Sequence, residues 1–279
     1  MPSPDPDRIL KQHVTTDLLL GVEAVPSPPL STAQADESPS YADKPLASDL
    51  GRRAPTLPPP RESAARPQPA AAAPARLDAV PIQTDLDTDQ KHEQLAALAD
   101  QFDRDQAVQK TRPANTCLVW ADGSPDSAIM FIGEGPGEQE DKQGLPFVGP
   151  AGELLNKMIT AMGLDRQEVY IANVVKYRPP GNRTPNPEEV AAQGPYLAKQ
   201  VAIVNPQAIV ALGGAAAKFA LQTQTGITRL RGNWAHFTHT NPPIPLMPTF
   251  HPAYLLRSYT PDNRKKVWAD LQAVLLRLD

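Results

Sequence analysis

The chain has 279 residues, a formal net charge of −4 at pH 7 and 41% hydrophobic residues. Its one cysteine, Cys117, excludes an intramolecular disulfide framework and a cysteine-rich metal site. The sequence has no run of about 18 apolar residues, and no basic segment precedes an apolar one at the amino terminus. We therefore expect no membrane span and no secretory signal, but a cytoplasmic protein of the bacterial cytosol or nucleoid.

The amino-terminal part of the chain differs in composition from the rest. Of the 33 prolines, 16 lie in the first 82 residues, among many alanines, serines and charged residues. Such a segment cannot bury enough apolar area to offset its conformational entropy, so residues 1–88 are predicted to be a disordered arm. Within it, the spacing of Ile9, Val14 and Leu18 predicts a short amphipathic helix over residues 5–22. This helix is either a solvated helix or a docking motif for a protein partner.

Residues 89–279 are predicted to form one folded domain. An opening helix is indicated by Leu95, Leu98 and Phe102, which recur at helical spacing. Four apolar strands then alternate with helices, at residues 128–133, 169–175, 208–212 and 246–250. Because strands of continuous apolar residues separated by helices are typical of a parallel sheet covered on both faces, the predicted fold class is α/β. The expected architecture is a three-layer α/β/α sandwich around a four-stranded parallel sheet.

Polar clusters follow three of these strands, where ligands bind in parallel α/β sheets. The first cluster reads GEGPGEQEDKQGLPFVGPAGELL and begins at Gly133. Its glycines let the backbone approach a ligand, but it matches neither a phosphate-binding loop nor a dinucleotide fingerprint. Glu134 is placed to orient a water molecule, or it only binds loop amides. Phe147 offers a stacking face for a flat ring, or it packs the core.

The second cluster joins a polar strand residue to a cationic loop. Asn173 lies within an otherwise apolar strand, where its amide either reads a base edge or satisfies a structural hydrogen bond. Lys176, Arg178 and Arg183 follow among prolines and suit contacts with phosphates. Residues 176–266 contain 11 basic and 3 acidic residues, which favours the same interpretation, although a solvated charged face also fits.

The third cluster reads TFHPAYLLR. His251 follows a strand and is placed to donate a hydrogen bond to charge that develops on a leaving group, although a lone histidine is more often structural. Tyr254, Leu255, Leu256 and Arg257 supply apolar wedges and a cation in the same turn, as a loop that extrudes a base requires.

Together, the strings GEGPGE, QGLPFVGPAG, IANVVKYRPPGNR and HPAYLLR resemble the uracil-DNA glycosylase superfamily, most closely family 4, the phage DNA-polymerase-related type. The resemblance covers residues 106–279. It implies the glycosylase α/β/α fold and hydrolysis of the N-glycosidic bond of deoxyuridine in DNA, the first step of base excision repair.

The resemblance also implies a role for each matching residue. Phe147 would stack on the flipped uracil, which Gly135 and Asn173 would bind. His251 would stabilise the departing uracil anion, and Glu134 would position water or stabilise the sugar cation. Contacts with DNA are implied for a further set: Lys176, Arg178, Arg183, Arg231, Tyr254, Leu255 and Arg257.

The chain departs from this family at four positions. Family 4 enzymes usually hold a [4Fe–4S] cluster with four cysteines. The matching positions here hold other residues: Gln106, Gln109, Tyr177 and Gln193. Cys117 lies elsewhere, and no set of oxygen or nitrogen ligands replaces the thiolates, so no cofactor is expected. We expect Tyr177 and the glutamines to pack and hydrogen-bond instead, which would hold the two segments together without metal.

Every residue of the implied pocket is present, so we expect an active monofunctional enzyme that acts on uracil-containing DNA as a monomer. No histidine lies between His92 and His236, which argues against the covalent capture of DNA performed by another branch of the superfamily. Two alternatives stay open. One is a non-catalytic DNA-binding or polymerase-associated adaptor, and the other is a glycosylase for a different deaminated base, such as hypoxanthine or xanthine.

Overall fold

The computed structural model describes residues 78–278, so the predicted helix at residues 5–22 and most of the predicted arm lie outside the described residues. The described chain begins with a strand, β1 (Val80–Pro81), that pairs in parallel with β7 (Thr240–Asn241). The Gln83 amide then donates to the Ala202 carbonyl at 3.2 Å. Residues 80–83, which the sequence analysis assigned to the arm, are therefore bonded to the domain.

A six-stranded sheet lies at the centre of the domain. Its strands are β2 (Ala121–Gly123), β3 (Ile129–Gly133), β4 (Tyr170–Asn173), β5 (Ala208–Leu212), β6 (Ala235–Phe237) and β8 (Ile244–Thr249). They lie in the order β2-β4-β3-β5-β8-β6. The four central strands are parallel and are those predicted from the apolar runs, whereas the edge strands β2 and β6 are antiparallel to their neighbours. The sequence analysis missed both edge strands, because three residues are too few to give an apolar pattern.

Helices cover both faces of this sheet. They are α1 (Thr88–Arg104), α2 (Gln106–Thr111), α3 (Glu138–Gln143), α4 (Pro150–Ala161), α5 (Pro187–Val204), α6 (Gly213–Leu221), α7 (Ile227–Leu230), α8 (Pro252–Arg257) and α9 (Pro261–Leu278). Within residues 78–278, no helix is both long and apolar enough to cross a membrane.

Strand β3 shows how the layers form, because successive residues of a strand point to opposite faces. Met130 and Ile132 belong to a core cluster that includes residues of α1, α2, α5 and α6. Ile129 and Phe131 belong to a second cluster, with residues of α4, α8 and α9. The α/β class and the three-layer sandwich are confirmed.

The carboxyl ends of the four parallel strands meet at one edge of the sheet. Strand β3 ends at Gly133, β4 at Asn173, β5 at Leu212 and β8 at Thr249. The residues that follow three of these ends are the polar clusters noted in the sequence. The topology therefore brings the clusters together at one rim, where parallel α/β sheets bind their ligands.

Candidate active site

A cleft of about 630 Å³ opens at this rim. Its walls come from the segments that follow β3, β4, β5 and β8. Of the residues proposed from the sequence, those that line the cleft are Glu134, Gly135, Phe147, Asn173, Arg183, His251, Tyr254 and Arg257. A cleft of this size lies in the usual range for small-molecule sites.

Asn173, the last residue of β4, presents an unused acceptor to the cleft. Its side chain is 2% exposed, and its Oδ1 has no hydrogen-bond partner within residues 78–278. A buried acceptor without a partner costs about 1–3 kcal/mol, so this atom marks a place for a donor on a ligand. Gly133 makes the arrangement possible, because a Cβ there would collide with Asn173 Oδ1 and lie 2.5 Å from Phe147 Cζ.

Phe147 lies between α3 and α4 and forms an apolar wall of the cleft. Its φ of 52° lies in the left-handed region, which costs a residue other than glycine about 1–3 kcal/mol. The ring is 5% exposed and stacks on the His251 ring, with centroids 5.6 Å apart and planes 29° apart. It belongs to the second core cluster and also lines the cleft, so the two interpretations of this residue are compatible.

Arg166 holds the backbone of the Phe147 loop, a role that the sequence analysis missed. Its guanidinium donates to the Pro146 carbonyl at 2.6 Å and to the Phe147 carbonyl at 3.2 Å. It also binds the Asp122 carboxylate at 2.6 Å and the Asn156 side chain at 2.7 Å. The contacts are far apart in sequence, so no local pattern identifies this residue.

Glu140 holds the same loop from another side and was also missed. Its Oε1 accepts the amides of Val148 and Gly149 at 2.9 Å, and its Oε2 accepts the Gly137 amide at 3.1 Å. The side chain thereby fixes the glycine-rich loop relative to Phe147. One local signal was available, because Glu140 is the third residue of α3 and the third helical position commonly binds back to the helix start.

Glu134 follows β3 directly and is half-buried in the cleft wall. Burial raises the pKa of this carboxyl above its ordinary value of 4.5, and a hydrogen bond with the Thr184 side chain opposes that shift. A carboxylate in this position can accept a proton from water or stabilise a nearby positive charge. Thr184 has no signal in the sequence, since it stands in a loop that folds back onto the cleft.

His251 caps the amino terminus of α8, and this contact sets its tautomer. Its Nδ1 accepts the Ala253 amide at 3.0 Å, so in the neutral ring the proton is on Nε2. Burial lowers the pKa of His251 to about 4, and the positive charge of Arg257 acts in the same direction. At pH 7 the ring is therefore neutral, with Nε2–H as its donor.

The loop between β4 and α5 carries two arginines. Arg183 lines the cleft and binds both carboxylate oxygens of Glu189, at 2.8 and 2.7 Å, while 43% of its side chain stays exposed. Arg178 is not among the lining residues and donates to the Asn182 side chain at 2.7 Å. Both guanidinium groups order the loop, and the exposed part of Arg183 suits a phosphate contact.

Three residues proposed to contact DNA are used inside the protein, and for the buried Lys176 and Leu255 the prediction is wrong. Lys176 is fully buried, and burial lowers its pKa well below the usual value of lysine. Leu255 is 2% exposed, whereas Leu256 is 46% exposed, because neighbouring residues of a helix point about 100° apart. Arg231 forms an ion pair with the buried Asp270. Lys176 was proposed for its charge, Leu255 as an apolar wedge and Arg231 from the family resemblance, but the face of the element decides which side chain is exposed.

Two of the four positions at which the family resemblance implies cluster cysteines, Gln109 and Tyr177, form one hydrogen-bonded group in this protein. Tyr177 is 1% exposed, and its hydroxyl donates to the Asp103 carboxylate at 2.8 Å. Gln109 donates to the Asp103 carbonyl at 2.8 Å, and its contact with the Tyr177 hydroxyl is 3.5 Å. The Arg112 guanidinium lies over the Tyr177 ring, 4.6 Å from its centroid. This group joins α1 and α2 to the segment after β4.

The other two positions differ from each other. Gln193 is 1% exposed and accepts the Lys176 backbone amide at 2.6 Å, whereas Gln106 is exposed at the start of α2. Amides and a phenol are not thiolate ligands, and the chain has a single cysteine. The residues present therefore do not fit a four-cysteine iron–sulfur cluster.

Comparisons with known proteins show the family to which this chain belongs. The model of the uracil DNA glycosylase superfamily matches residues 120–272. The type-4 uracil-DNA glycosylase of Thermotoga maritima is 48% identical over 158 residues, which are 56% of this chain and 81% of that protein. The type-4 enzyme of Sulfurisphaera tokodaii is 43% identical over 164 residues, and that of Archaeoglobus fulgidus is 40% identical over 156 residues. These matches cover 57% and 54% of this chain, and 74% and 77% of the two relatives. The chain belongs to the uracil-DNA glycosylase superfamily and, within it, to the type-4 family.

Proposed function

We propose that this protein is a monofunctional uracil-DNA glycosylase, which hydrolyses the N-glycosidic bond of deoxyuridine in DNA and so begins base excision repair. The observation that carries the proposal is the unpaired Oδ1 of Asn173, in a cleft that also presents Glu134, Phe147 and His251. The 48% identity to a type-4 uracil-DNA glycosylase supports the substrate class.

Base recognition follows from the chemistry of the Asn173 amide. Uracil carries an N3–H donor between two carbonyl groups. Oδ1 of Asn173 accepts this N–H, and the amide nitrogen donates to uracil O4. Cytosine carries an acceptor at N3, which would face Oδ1 and be repelled. The ring of Phe147 supplies the apolar face against which the extruded base stacks.

Bond cleavage needs stabilisation of two opposite charges. As the C1′–N1 bond breaks, its electron pair passes to the uracil ring, and the negative charge reaches O2. The neutral His251 ring donates its Nε2–H to that oxygen. Glu134 stabilises the positive charge on the sugar and accepts a proton from the water that adds to C1′. The products are free uracil and an abasic site.

Hydrolysis without strand cleavage fits the composition of the cleft. A bifunctional glycosylase needs an amine that forms a Schiff base with the sugar. Within residues 78–278, the side chains that line the cleft include arginines but no lysine. We therefore propose that the enzyme leaves the abasic strand intact.

We further propose that the enzyme works without a [4Fe–4S] cluster. The support is the donor set at the four cluster positions, which are Gln106, Gln109, Tyr177 and Gln193. Hydrogen bonds from Tyr177 and Gln109 to Asp103, and from the Lys176 amide to Gln193, hold together the chain segments that the thiolates would join.

One assay tests the proposed activity. Oligonucleotides that contain uracil opposite guanine, uracil opposite adenine, single-stranded uracil or hypoxanthine are incubated with the full-length protein and then cleaved with alkali. The account predicts scission at uracil that depends on the alkali step. Scission without alkali would contradict monofunctional hydrolysis, scission at hypoxanthine alone would reassign the base, and no scission on any substrate would refute the enzymatic function.

A further inference from the structure

Lys176 is a fully buried lysine three residues beyond Asn173. Its Nζ donates to the Asn173 backbone carbonyl at 2.8 Å and to the Gln200 side chain at 2.5 Å. The amine also lies over the Trp120 ring, 5.2 Å from its centroid. A lysine is seldom fully buried, because removing its amine from water is costly unless hydrogen bonds compensate. These contacts offset that cost. One of them is the hydrogen bond to Asn173, the residue proposed to bind the edge of uracil.

The bond to Asn173 has a geometric consequence. Asn173 is the last residue of β4, where the ladder with β3 ends at the pair of Gly133 and Asn173. Beyond this pair the amide of the Asn173 peptide unit, the Val174 N–H, still donates to the Gly133 carbonyl at 3.0 Å, on the side of β3. The Lys176 amine binds the carbonyl of that unit. The peptide unit is thereby held at both its amide and its carbonyl, which restricts the rotation that would swing the Asn173 side chain within the cleft.

Further polar residues hold Lys176 itself in place. The Gln193 side-chain oxygen accepts a hydrogen bond from the Lys176 backbone amide at 2.6 Å. The Gln200 side-chain oxygen accepts one from the Lys176 amine, and the Gln200 amide nitrogen donates to the Tyr170 hydroxyl at 3.2 Å. Gln193 and Gln200 both belong to α5 and are buried. Lys176 is therefore fixed at its backbone and at its amine, and it transmits the position of α5 to Asn173.

We propose that Lys176 is a positioning residue, which acts through the Asn173 carbonyl to hold the Asn173 amide in the orientation that accepts uracil. The inference rests on the proposed function, since it assigns Asn173 to the base. Lys176 does not line the cleft, so its effect on uracil passes through Asn173.

The test compares Lys176→Met with Tyr170→Phe in the full chain. Methionine keeps the length and apolar stem of lysine but removes the donor, whereas Tyr170→Phe removes a buried hydrogen bond at the far end of the same network. Binding of free uracil is measured by ligand-observed NMR titration, affinity for DNA with an abasic site by fluorescence anisotropy, and excision separately. The melting temperature of each variant shows whether the protein is folded.

We expect Lys176→Met to weaken uracil binding by about tenfold, because the Asn173 amide loses the contact that orients it. For comparison, misplacing a reacting group by about 1 Å lowers a reaction rate by up to about 100-fold. Affinity for abasic DNA should change less than about twofold, and Tyr170→Phe should leave both affinities within about twofold. The inference is overturned if Lys176→Met binds uracil within about threefold of the wild type, or if both affinities fall equally. If Lys176→Met does not fold, Lys176→Gln takes its place, because glutamine keeps a polar end in the buried network but is one bond shorter than lysine and carries no charge.

Uracil binding and excision by the wild type distinguish a failure of this inference from a failure of the proposed function. A wild type that binds uracil but does not excise it from DNA refutes the proposed reaction, while the comparison of uracil affinities still decides the role of Lys176. A wild type that neither binds nor excises uracil refutes both.

Discussion

The rings of Phe147 and His251 stack in the cleft wall with their centroids 5.6 Å apart. The contact fixes the two rings relative to each other, so in the proposed mechanism the apolar face for the base and the donor for its leaving charge keep a constant geometry. The two side chains are 104 residues apart in the sequence, so this relationship exists only in the fold.

Replacing His251 tests the role of its Nε2–H donor. His251→Ala should lower kcat by about 100- to 1,000-fold, the usual cost of losing one donor to a developing anion, with little change in affinity for DNA. Single-turnover excision of uracil from a single-stranded oligonucleotide measures the rate. His236→Ala is the matched control, since His236 is exposed on β6 and does not line the cleft. Equal rates in the two variants would remove His251 from the mechanism.

The loop that carries Phe147 should depend on Arg166. Arg166→Met removes the donors to the Pro146 and Phe147 carbonyls, so the left-handed backbone at Phe147 loses its support. We expect uracil excision to fall by at least about tenfold, with a lower melting temperature, because buried carbonyls lose charged partners. Arg104→Met is the control, since the Arg104 side chain is 77% exposed. Excision at the wild-type rate in Arg166→Met would show that the loop needs no such support.

Gly133 should tolerate no side chain. A Cβ there would meet the Asn173 amide oxygen and the Phe147 ring, so Gly133→Ala should abolish detectable excision while the domain still folds. Gly226→Ala is the control, because a Cβ at Gly226 meets no atom within 4 Å. Activity assays and melting curves of both variants check this prediction. Substantial excision by Gly133→Ala would show that the close approach of the Asn173 amide and the Phe147 ring to residue 133 is not needed for activity.

The decrease of kcat/KM at acid pH should report the protonation of Glu134. Its raised pKa means that it takes up a proton at a higher pH than an ordinary glutamate, so kcat/KM should fall as the pH decreases through that raised value. His251, with a pKa of about 4, stays neutral over most of this range. Glu134→Gln should be slower at pH 7 and should lose this acid limb. An unchanged limb in the variant would assign the titration to another group.

Glu134→Gln should lower the activity of the enzyme but should not lower its stability. Because the folded-state pKa of Glu134 is raised above the ordinary value, the ionised carboxylate destabilises the fold at neutral pH, and this cost disappears as the pH falls. Glu134→Gln should therefore melt at the same temperature as the wild type or higher at pH 7. A clearly lower melting temperature would indicate that the carboxylate is structurally required.

The sequence predicted the parts of this molecule that follow local patterns. The four parallel strands were recognisable as apolar runs, and the cleft residues follow their carboxyl ends, so Asn173, Glu134 and His251 were found. Pairs that are distant in sequence were not predictable in this way. Arg166 meets Phe147 from 19 residues away, and only the folded chain shows this contact.

The wrong predictions share a physical cause. Lys176 was assigned to DNA as part of a cationic loop and Leu255 as an apolar wedge, but each lies on the inner side of its segment. Leu256, the neighbour of Leu255, is the exposed leucine of α8. Which side chains of a short helix or a strand end face the core depends on the layer that packs against that element. The local sequence pattern does not identify this layer.

The central claim is that this type-4 glycosylase excises uracil without an iron–sulfur cluster. Iron content and uracil excision should be measured on one preparation of the full-length protein, before and after treatment with an iron chelator. The account predicts no stoichiometric iron, no visible absorbance of an iron–sulfur cluster and the same excision rate in both samples. Stoichiometric iron with cluster absorbance would contradict the claim, as would an iron-free protein that leaves every uracil in place.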